Sequence, residues 1–576
     1  MSNHLSHIRC PKDIKKISVN DLPDLCKEIR SKIVEVTSQG SGHLGASLGA
    51  VELAVGIHYF FDSARDSFVW DVGHQAYAHK ILTGRKDLFS SLRNMGGISG
   101  FPSRKESKYD DFGTGHSSTS VSAVLGMAMA KKLKGDHSNN VAIIGDGSLT
   151  GGMAFEGLNH LATADVNVIV LINDNDMSID PNVGGLQRHL NSIDPENNFF
   201  TDLGLNYHGV FDGNDIGEVL GVLSKNELKR GAHVVHFRTK KGFGYRYSED
   251  GNPTHWHAPG KFEIESGEGE AGSTGFPKKY QTIVGQTLLN LMKEDQDVVV
   301  ITPAMASGSS LKEIEKEYSD RFFDVGIAEQ HAVTFSAGLA AQNKKPVCVI
   351  YSTFLQRGYD QVIHDVALQN LPVTFLVDRA GLVGRDGATH HGMFDLAYLN
   401  LVPNMTIYAP QNEDQLAVLI RNTGQLSEGP VAIRYPRGKG ILRQEIDETY
   451  IHQDFVLKSV SSTKNLVLTI GAIGNQIQAS SDFDVLSLIK VKPLDLAGLR
   501  SVLARYKKLV IIEDGVEQGG IAQTIVVGIA KCDMQLSTEI IAFPDAFVEH
   551  GGQDELYAKL GMDKASLEDR LKEFFA

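Results

Sequence analysis

Two polar strand ends offer oxygen atoms that could hold a metal ion. Asp146 closes the apolar run VAIIGD, and Asn175 follows the next apolar run, VNVIVLIND. One α/β unit separates these residues, so both side chains can reach the same edge of a parallel sheet. Mg²⁺ prefers near-octahedral oxygen ligands and usually keeps phosphate oxygens in its shell. With the backbone carbonyl of Met177, the pattern predicts a metal–diphosphate site, against the alternative of two unrelated polar turns.

The residues beside Asp146 favour the same interpretation. Gly145 and Gly147 flank the carboxylate, and Ser148 follows at the start of a stretch that predicts a helix. Glycine lets backbone NH groups approach an anion closely. These glycines therefore suit a metal–diphosphate site, with the alternative that GDG forms an ordinary turn.

Three histidines, His43, His74 and His116, each follow a glycine in a segment that predicts a loop. A single histidine is more often a satisfied core group than a catalyst. Three in the same local context favour a polar site, because imidazole gains and loses a proton near neutral pH.

Short apolar runs alternate with amphipathic stretches along the chain, a pattern typical of parallel sheets covered by helices. A helix is predicted over 117–133, and strands are predicted over 141–146, 166–174, 233–239, 298–304, 346–352, 372–378, 430–436, 465–471, 508–514 and 538–544. The predicted fold class is α/β, with three domains and mainly parallel central sheets. The predicted domains are 1–265, 280–445 and 446–576, with a glycine-rich linker at 266–279.

Bulk composition narrows the class of protein further. The 576 residues are too many for one hydrophobic core. The net charge of −14 leaves no basic surplus to bind nucleic acid or an anionic membrane. The four cysteines form no CxxC pair, which suits a reducing compartment, and the polar N-terminus lacks the apolar run of a secretion signal. We expect a cytoplasmic protein that acts on small molecules.

Seven longer strings of the sequence are GHLGASLG (42–49), WDVGHQAY (70–77), GHSS (115–118), DVGIAEQHA (324–332), YSTFLQRGYDQ (351–361), DRAGLVGRDGATHHG (378–392) and YPRG (435–438). These strings resemble motifs of the transketolase-type thiamine-diphosphate enzymes, and most specifically those of the deoxyxylulose-phosphate synthase family. The metal pattern resembles the GDG…N signature of these enzymes.

The resemblance implies a transketolase-like fold with thiamine diphosphate and Mg²⁺ as cofactors. Glu329 would exchange a proton with N1′ of the aminopyrimidine, and Phe354 would stack on that ring. Asp146, Asn175 and the Met177 carbonyl would bind Mg²⁺. The other cofactor-binding residues that the motifs imply are His74, Gly115, His116, Ser117, Gly147, Ser148 and Arg357.

The resemblance also implies the reaction, a decarboxylative condensation of pyruvate with D-glyceraldehyde 3-phosphate to 1-deoxy-D-xylulose 5-phosphate and CO₂. Such a transferase would begin non-mevalonate isoprenoid synthesis, supply thiamine and pyridoxal precursors, and form a homodimer. Proton transfer or binding of reacting oxygens is implied for Glu329, His43, His74, His390 and Asp386. Substrate contacts are implied for Ser47, Tyr351, Arg379, Arg437, His257 and Lys261.

Other functions stay open at this point. The chain could be another ketol- or acyl-transferring member of the superfamily, which its donor substrate would reveal. It could also be a catalytically idle cofactor-binding protein, although binding alone does not need Glu329, Phe354 and the histidines together. A nicotinamide dehydrogenase is disfavoured, because no GxGxxG follows the first strand.

One segment departs from the family's pattern. Residues 186–200 form only a short stretch, where most sequences of the family carry a much longer excursion near the active site. A long loop at an active site usually excludes water. We therefore expect the fold and the cofactor pocket to survive while the pocket stays more open, unless a neighbouring segment such as 240–262 closes it.

Overall fold

The structure is a computed structural model. The residues that it describes are 3–40, 42–269, 277–441, 453–460 and 462–576. Residues 270–276 of the predicted linker lie outside these ranges, and so does the predicted domain boundary between 445 and 446.

The chain divides into two compact units. The first unit comprises Met1–Gly272 together with Gly326–Ala328. The second unit comprises Ser273–Val325 together with Glu329–Ala576. The predicted boundaries of three domains stay a prediction.

The first unit is built on one parallel sheet. Its strands are β1 Ser67–Trp70, β2 Asn140–Gly145, β3 Val168–Asp174, β4 Asn206–Asp212 and β5 Ala232–Arg238. In the described part of this unit the strand order is β1-β2-β3-β5-β4. β2 and β3 are buried almost throughout. Because helices cover both faces of such a sheet, its central strands are continuous apolar runs rather than alternating ones.

The helices of the first unit pack apolar side chains against both faces of this sheet, forming two hydrophobic clusters. They are α1 His4–His7, α2 Pro11–Ile14, α3 Leu22–Ser38, α4 Leu44–Gly49, α5 Val51–Phe60, α6 Tyr77–Lys80, α7 Ser120–Leu133, α8 Asp146–Leu149, α9 Gly152–Leu161, α10 Gly185–Asn191, α11 Phe199–Asp202, α12 Ile216–Leu223 and α13 Arg246–Glu249.

The short segment 186–200 is folded rather than extended. It contains most of α10 and the start of α11. The side chain of Asn198 caps α11, accepting hydrogen bonds from the backbone NH groups of Phe200 at 3.0 Å and Thr201 at 3.2 Å. Nε2 of Gln187 donates to the Asp176 carboxylate at 2.7 Å, which ties α10 to the turn after β3.

The second unit contains two further sheets. Their strands are β6 Val298–Thr302, β7 Phe322–Asp324, β8 Lys345–Tyr351, β9 Thr374–Ala380, β10 Thr406–Tyr408, β11 Val431–Pro436, β12 Phe455–Lys458, β13 Asn465–Ile470, β14 Asp484–Leu488, β15 Lys490–Lys492, β16 Lys508–Val516 and β17 Ser537–Phe543. In the described ranges one sheet has the order β15-β10-β11-β9-β8-β6-β7, and the other has the order β12-β14-β13-β16-β17. β15 and β12 run antiparallel to their neighbours, and the other pairs are parallel.

The helices of the second unit cover these two sheets. They are α14 Tyr280–Glu294, α15 Lys312–Glu317, α16 Glu329–Ala341, α17 Ser352–Leu355, α18 Tyr359–Gln361, α19 Asp395–Asn400, α20 Glu413–Arg421, α21 Thr423–Leu426, α22 Leu496–Leu503, α23 Ile521–Lys531, α24 Gln553–Lys559 and α25 Lys564–Phe575. Within the described ranges, none of the helices combines the length and the apolar character needed to cross a bilayer. The predicted α/β class with mainly parallel sheets is confirmed.

Candidate functional site

The carboxyl ends of β2 and β3 lie side by side in the first unit. In their parallel ladder Gly145 pairs with Asn173, so the residues that follow both strands emerge at one edge of the sheet. Asp146 begins α8 directly after β2, and its side chain is buried. Asn175 follows β3. The structure therefore places the two predicted metal ligands at neighbouring strand ends.

Asp146 and Asn175 both have buried oxygen atoms that a bound cation would stabilise. Burial, and then the neighbouring Asp174 carboxylate, raise the pKa of Asp146 well above its usual range. The Oδ2 atom of Asp146 accepts a hydrogen bond from Nδ2 of Asn182 at 2.6 Å. The Oδ1 atom of Asn175 is buried and finds no hydrogen-bond partner among the described residues. A buried amide oxygen without a hydrogen-bond partner costs free energy. The side-chain oxygen atoms of Asp146 and Asn175 therefore fit a bound Mg²⁺.

The turn after β3 carries Met177, the third predicted ligand. Met177 and Pro181 form an isolated bridge across this turn. Nζ of Lys241 donates to the carbonyl of Ser178 at 2.6 Å, and burial lowers the pKa of Lys241 to about 8. Lys241 holds the turn in place, although the sequence pattern did not single it out. The role of the Met177 carbonyl as a ligand stays a prediction.

Gly147 lies where a larger residue would not fit. A Cβ atom added there would lie 3.0 Å from Oδ1 of Asn182 and 3.1 Å from Cβ of Ser178. The backbone of Gly147 and Ser148 therefore lies beside the turn after β3. Position 147 has no side chain to separate them. This is the close backbone approach that a diphosphate group needs.

Asp71 fastens the loop that contains Gly115, His116 and Ser117. Its fully buried carboxylate accepts hydrogen bonds from the backbone NH groups of Ser118 at 2.8 Å and Ser120 at 3.0 Å. The Oγ atom of Ser118 in turn donates to the carbonyl of Ser148 at 2.7 Å. The loop predicted to bind the cofactor is thereby attached to the turn predicted to bind the diphosphate.

A second chain of hydrogen bonds ties the WDVGHQAY motif to β3. Nδ2 of Asn173 donates to Oε1 of Gln75 at 2.5 Å, and Oγ1 of Thr239 donates to Oδ1 of Asn173 at 2.6 Å. Nε2 of Gln75 donates to the carbonyl of Asp71 at 2.7 Å. Asp71, Gln75, Asn173 and Thr239 were not predicted as site residues. The only signal for Asp71 in the sequence is an acidic residue directly after an apolar strand.

Three of the predicted substrate-side histidines form one cluster in the first unit. The ring centroids of His43 and His74 are 5.7 Å apart, those of His43 and His257 are 5.3 Å apart, and those of His74 and His257 are 5.6 Å apart. The ring of Phe101 lies 5.5 Å from that of His43. Burial lowers the pKa of His74 to about 4, so this imidazole is neutral at pH 7.

Other predicted residues lie around this cluster. Oγ of Ser47 donates to the carbonyl of His74 at 2.9 Å, which orients the backbone of that histidine. Lys261 pairs with Gln39 in an isolated bridge, and its side chain passes beside Gly40, shortly before His43 in the chain. Lys261 is exposed there, and its contact with substrate stays a prediction.

Glu329 is a buried carboxyl group at the start of α16 in the second unit. Only 4% of the residue is exposed, and burial raises the pKa of its carboxyl group against the opposing effect of Arg357. Nη1 of Arg357 lies 3.6 Å from Oε2 of Glu329, beyond hydrogen-bonding distance. Oε2 finds no hydrogen-bond partner in the described ranges. The group can therefore hold a proton and share it with a bound nitrogen base.

Aromatic rings and a guanidinium group lie together at the carboxyl ends of β8 and β9. The rings of Tyr351 and Phe354 stack with centroids 5.4 Å apart, and His390 meets Phe354 edge-on at 5.5 Å. The guanidinium carbon of Arg379 lies 4.0 Å from the centroid of Tyr351. Arg379 has a φ of 60°, an uncommon backbone conformation for a residue other than glycine.

The loop that carries Asp386 and His390 is closed at its base. The backbone NH of Gly381 donates to the carbonyl of Gly392 at 2.7 Å, and the reverse hydrogen bond is 2.8 Å long. Nη1 of Arg437 donates to the carbonyl of Val383 at 2.6 Å. The predicted phosphate-binding Arg437 is therefore attached to the same loop.

His391 stabilises the loop that carries Asp386 and His390. The sequence pattern did not single out His391. Its Nδ1 accepts from the backbone NH of Val383 at 3.0 Å, so its Nε2 carries the proton and donates to the carbonyl of Glu549 at 3.1 Å. Burial lowers the pKa of His391, which keeps the ring neutral and this pair of contacts intact. His391 therefore orients the loop, whereas its neighbour His390 contacts Phe354.

Beneath Arg379 lies a buried polar group that was also not predicted. Oγ of Ser309 donates to Oδ2 of Asp378 at 2.9 Å, and burial raises the pKa of Asp378 to about 6. Oδ1 of Asp378 and Oη of Tyr435 are buried without a hydrogen-bond partner among the described residues. These atoms keep the surroundings of Arg379 polar in an otherwise apolar interior.

A family profile described as 1-deoxy-D-xylulose-5-phosphate synthase matches residues 5–198. Two further profiles, described as the transketolase pyrimidine binding domain and the transketolase C-terminal domain, match residues 277–441 and 459–567.

Curated relatives match over nearly the full length. The 1-deoxy-D-xylulose-5-phosphate synthase of Porphyromonas gingivalis is 42% identical, with 98% of this chain and 97% of the relative covered. That of Parabacteroides distasonis is 41% identical, with coverages of 99% and 98%. The 1-deoxy-D-xylulose-5-phosphate synthase 1 of Geobacter sulfurreducens is 43% identical, with coverages of 100% and 98%. The first alignment spans 618 positions, more than the 576 residues of the chain, so that relative carries residues without a counterpart here.

Proposed function

We propose that this chain, which belongs to the 1-deoxy-D-xylulose-5-phosphate synthase family, condenses pyruvate with D-glyceraldehyde 3-phosphate. The products are 1-deoxy-D-xylulose 5-phosphate and CO₂, and thiamine diphosphate is the cofactor. The enzyme is a transferase that catalyses the first step of non-mevalonate isoprenoid synthesis. Its product is also a precursor for the synthesis of thiamine and pyridoxal.

The observation that carries this proposal is the state of Glu329. A carboxyl group that is 4% exposed, has a raised pKa and has an Oε2 atom without a hydrogen-bond partner among the described residues is costly to keep buried. It is useful where a proton must be held and passed to a nitrogen base. A protein that only bound the cofactor would not need such a group, so the state of Glu329 supports catalysis over binding alone.

Residues of the first unit fit the charged end of the cofactor. Asp146, Asn175 and the Met177 carbonyl would bind Mg²⁺. The Oδ1 atom of Asn175, which has no hydrogen-bond partner among the described residues, and the close approach of the Gly147 backbone to Asn182 and Ser178 support this assignment. The residues that would contact the diphosphate and the thiazolium ring are His74, Gly115, His116, Ser117, Gly147 and Ser148.

Residues of the second unit fit the aminopyrimidine end. Glu329 would hold a proton at N1′, Arg357 would limit how far the pKa of that carboxyl group rises, and Phe354 would pack against the ring. When bound, the cofactor supplies the carbon centre that takes up the electrons released on loss of CO₂. The protein supplies position, a proton at N1′ and exclusion of water.

The substrates would meet two sets of side chains. Arg379, Arg437 and Tyr351 would bind the phosphate of the aldehyde, because guanidinium groups offer paired donors to phosphate oxygens. His43, His74, His390 and Asp386 would bind or protonate the reacting oxygens. His74 is neutral at pH 7 because of its lowered pKa, so it can donate one hydrogen bond without carrying charge. Ser47, His257 and Lys261 complete the predicted substrate contacts.

We also propose that the protein is a cytoplasmic homodimer that binds neither nucleic acid nor membranes. The unpaired cysteines suit a reducing compartment, since Cys10, Cys26, Cys348 and Cys532 all carry free thiols. The net charge of −14 opposes binding to polyanions. Sedimentation at several protein concentrations would test the dimer.

The activity is tested by identifying the product. The purified full-length protein is incubated with thiamine diphosphate, Mg²⁺, pyruvate and glyceraldehyde 3-phosphate, and the product is identified by mass. We expect 1-deoxy-D-xylulose 5-phosphate, together with one CO₂ per product. A parallel reaction replaces pyruvate with a ketose phosphate donor. Turnover of that donor without turnover of pyruvate would instead assign the chain a ketol-transfer activity.

A further inference from the structure

The hydroxyl group of Tyr77 lies against His43 in the first unit. The backbone NH of His43 donates to Oη of Tyr77 at 3.0 Å. The same Oη lies 3.4 Å from Nδ1 of the His43 ring. Tyr77 is fully buried, so one hydroxyl group touches both the backbone and the side chain of His43.

The backbone conformation of the preceding residue makes this approach possible. Gly42 has a φ of 142°, and a Cβ atom added there would lie 3.1 Å from Oη of Tyr77 and 2.9 Å from Cγ2 of Thr37. A side chain at position 42 would therefore push Tyr77 away from His43. The glycine of the GHLG string serves this contact, besides its conformational freedom.

Chemistry fixes the direction of the hydrogen bond from the His43 backbone, and the tautomer of His43 sets the direction of the other one. A backbone NH can only donate, so Oη of Tyr77 is the acceptor in the first one. The hydroxyl proton can then be donated to Nδ1 of the imidazole, and a neutral imidazole that accepts at Nδ1 carries its own proton on Nε2. We propose that Tyr77 is a positioning residue that holds His43 as the Nε2–H tautomer.

Tyr77 is itself held in a rigid setting. It begins α6, and two later residues of that helix make buried polar contacts with carboxylates. Nε2 of His79 lies 2.8 Å from the Asp110 carboxylate, and Nζ of Lys80 lies 2.5 Å from the Glu106 carboxylate. The ring of Tyr77 also packs edge-on against Phe89 at 5.7 Å. A hydroxyl group fixed in this way can orient its partner with little further loss of entropy.

The consequence for catalysis rests on the proposed function, whereas the contact itself does not. His43 lies in the cluster with His74 and His257, where the proposed substrate oxygens would bind. With Nδ1 engaged by Tyr77, Nε2 is the nitrogen that presents a proton to a reacting oxygen. Tyr77 would therefore affect turnover through His43 without touching the substrate.

The test uses Tyr77→Phe, which keeps the packed ring and removes only the hydroxyl group. Full-length protein labelled with ¹⁵N-histidine is studied without cofactor or substrate, and a His43→Gln variant assigns the His43 signals. We expect Nδ1 of His43 to resonate as an unprotonated nitrogen and Nε2 as a protonated one. In Tyr77→Phe this pattern should give way to a mixture of tautomers. A proton on Nδ1 in the unmodified protein, or an unchanged spectrum in the variant, would contradict the hydrogen bond from Tyr77 to Nδ1 of His43.

Kinetics of the cofactor-loaded enzyme test the second half of the proposal. We expect kcat of Tyr77→Phe to fall about tenfold, as loss of one orienting hydrogen bond suggests, with KM for both substrates within about twofold. The matched control is Tyr506→Phe, which removes a buried hydroxyl group that donates to Asp484 at 2.7 Å in the sheet β12-β14-β13-β16-β17. A changed His43 spectrum with unchanged kcat would overturn the role in catalysis. If the His43 spectrum changes in Tyr77→Phe but the unmodified protein does not catalyse the proposed reaction, the hydrogen bond is supported and the proposed function is rejected.

Discussion

The carboxylate of Asp71 accepts a hydrogen bond from the backbone NH of Ser118 at 2.8 Å, although 47 positions separate the two residues in the chain. A second bond from Ser120 engages the other oxygen of the same carboxylate. The loop that carries Gly115, His116 and Ser117 is therefore built around one buried acidic group. Its conformation depends on that group more than on its own sequence.

Replacement of Asp71 by Asn should loosen this loop and weaken cofactor binding. The amide offers one acceptor instead of two, so one buried backbone NH loses its partner at a cost of about 1–3 kcal/mol. We expect the dissociation constant for thiamine diphosphate, measured by calorimetry, to rise about tenfold or more. Asp136→Asn is the matched control, because Asp136 caps the backbone NH of Ser138 at 2.9 Å in a surface turn. Unchanged affinity in Asp71→Asn would show that the loop does not hold the cofactor.

Replacement of Asp146 by Ala should weaken cofactor binding only when Mg²⁺ is present. Loss of a ligand from a small ion with strict geometry leaves the diphosphate charge poorly neutralised. The experiment is a calorimetric titration of thiamine diphosphate with and without Mg²⁺, and Asp165→Ala serves as a surface control. Asp165 forms an exposed ion pair with Lys132. Retention of the full Mg²⁺ effect in Asp146→Ala would place the metal elsewhere.

Replacement of Arg437 by Ala should raise KM for the phosphorylated aldehyde far more than KM for pyruvate. A charge-assisted hydrogen bond to phosphate contributes about 1.5–3 kcal/mol, or roughly a ten- to hundredfold change in apparent affinity. The structure also supplies the competing explanation, since Nη1 of Arg437 holds the carbonyl of Val383. Steady-state kinetics with each substrate varied in turn separates the two roles. Equal effects on both KM values would identify an arginine that only supports the loop.

The short 186–200 segment should leave the reaction more exposed to water. This stretch contains most of α10 and the start of α11, and Gln187 binds it to the turn after β3, so no long loop remains there to cover the pocket. Early protonation after loss of CO₂ would then release an acetaldehyde-type side product. Acetaldehyde and deoxyxylulose phosphate are quantified in the same reaction, beside a relative with the longer segment. A side-product fraction no higher than that of the relative would contradict the open pocket.

The strands that sequence predicts best are those buried on both faces. Runs such as 141–146 and 465–471 lie within one residue of the strands Asn140–Gly145 and Asn465–Ile470, because continuous apolar runs have few other places in a soluble fold. β4 was not predicted, since NYHGVFD is polar and half-exposed at the edge of its sheet. β1 was not predicted either, because four residues are too few to show a period.

The same limit applies to the site. Residues that follow predicted strands, such as Asp146 and Asn175, could be placed at one sheet edge from topology alone. Other side chains bind partners that lie far away in the chain, and the adjacent sequence does not identify those partners. These side chains are Asp71, Tyr77, Lys241 and His391. Their roles follow from tertiary hydrogen bonds, which local spacing does not encode.

In the proposed function, Glu329 holds the proton that activates the bound cofactor. Its buried carboxyl group, with a raised pKa, is the observation on which the proposed function rests. The most direct measurement is the rate at which the C2 proton of bound thiamine diphosphate exchanges with deuterium, compared between the unmodified enzyme and Glu329→Gln. We expect exchange to be about 10²–10⁴ times slower in the variant, as loss of a general acid–base group predicts, while calorimetry shows that the cofactor still binds. Exchange at the unmodified rate in Glu329→Gln would contradict the claim.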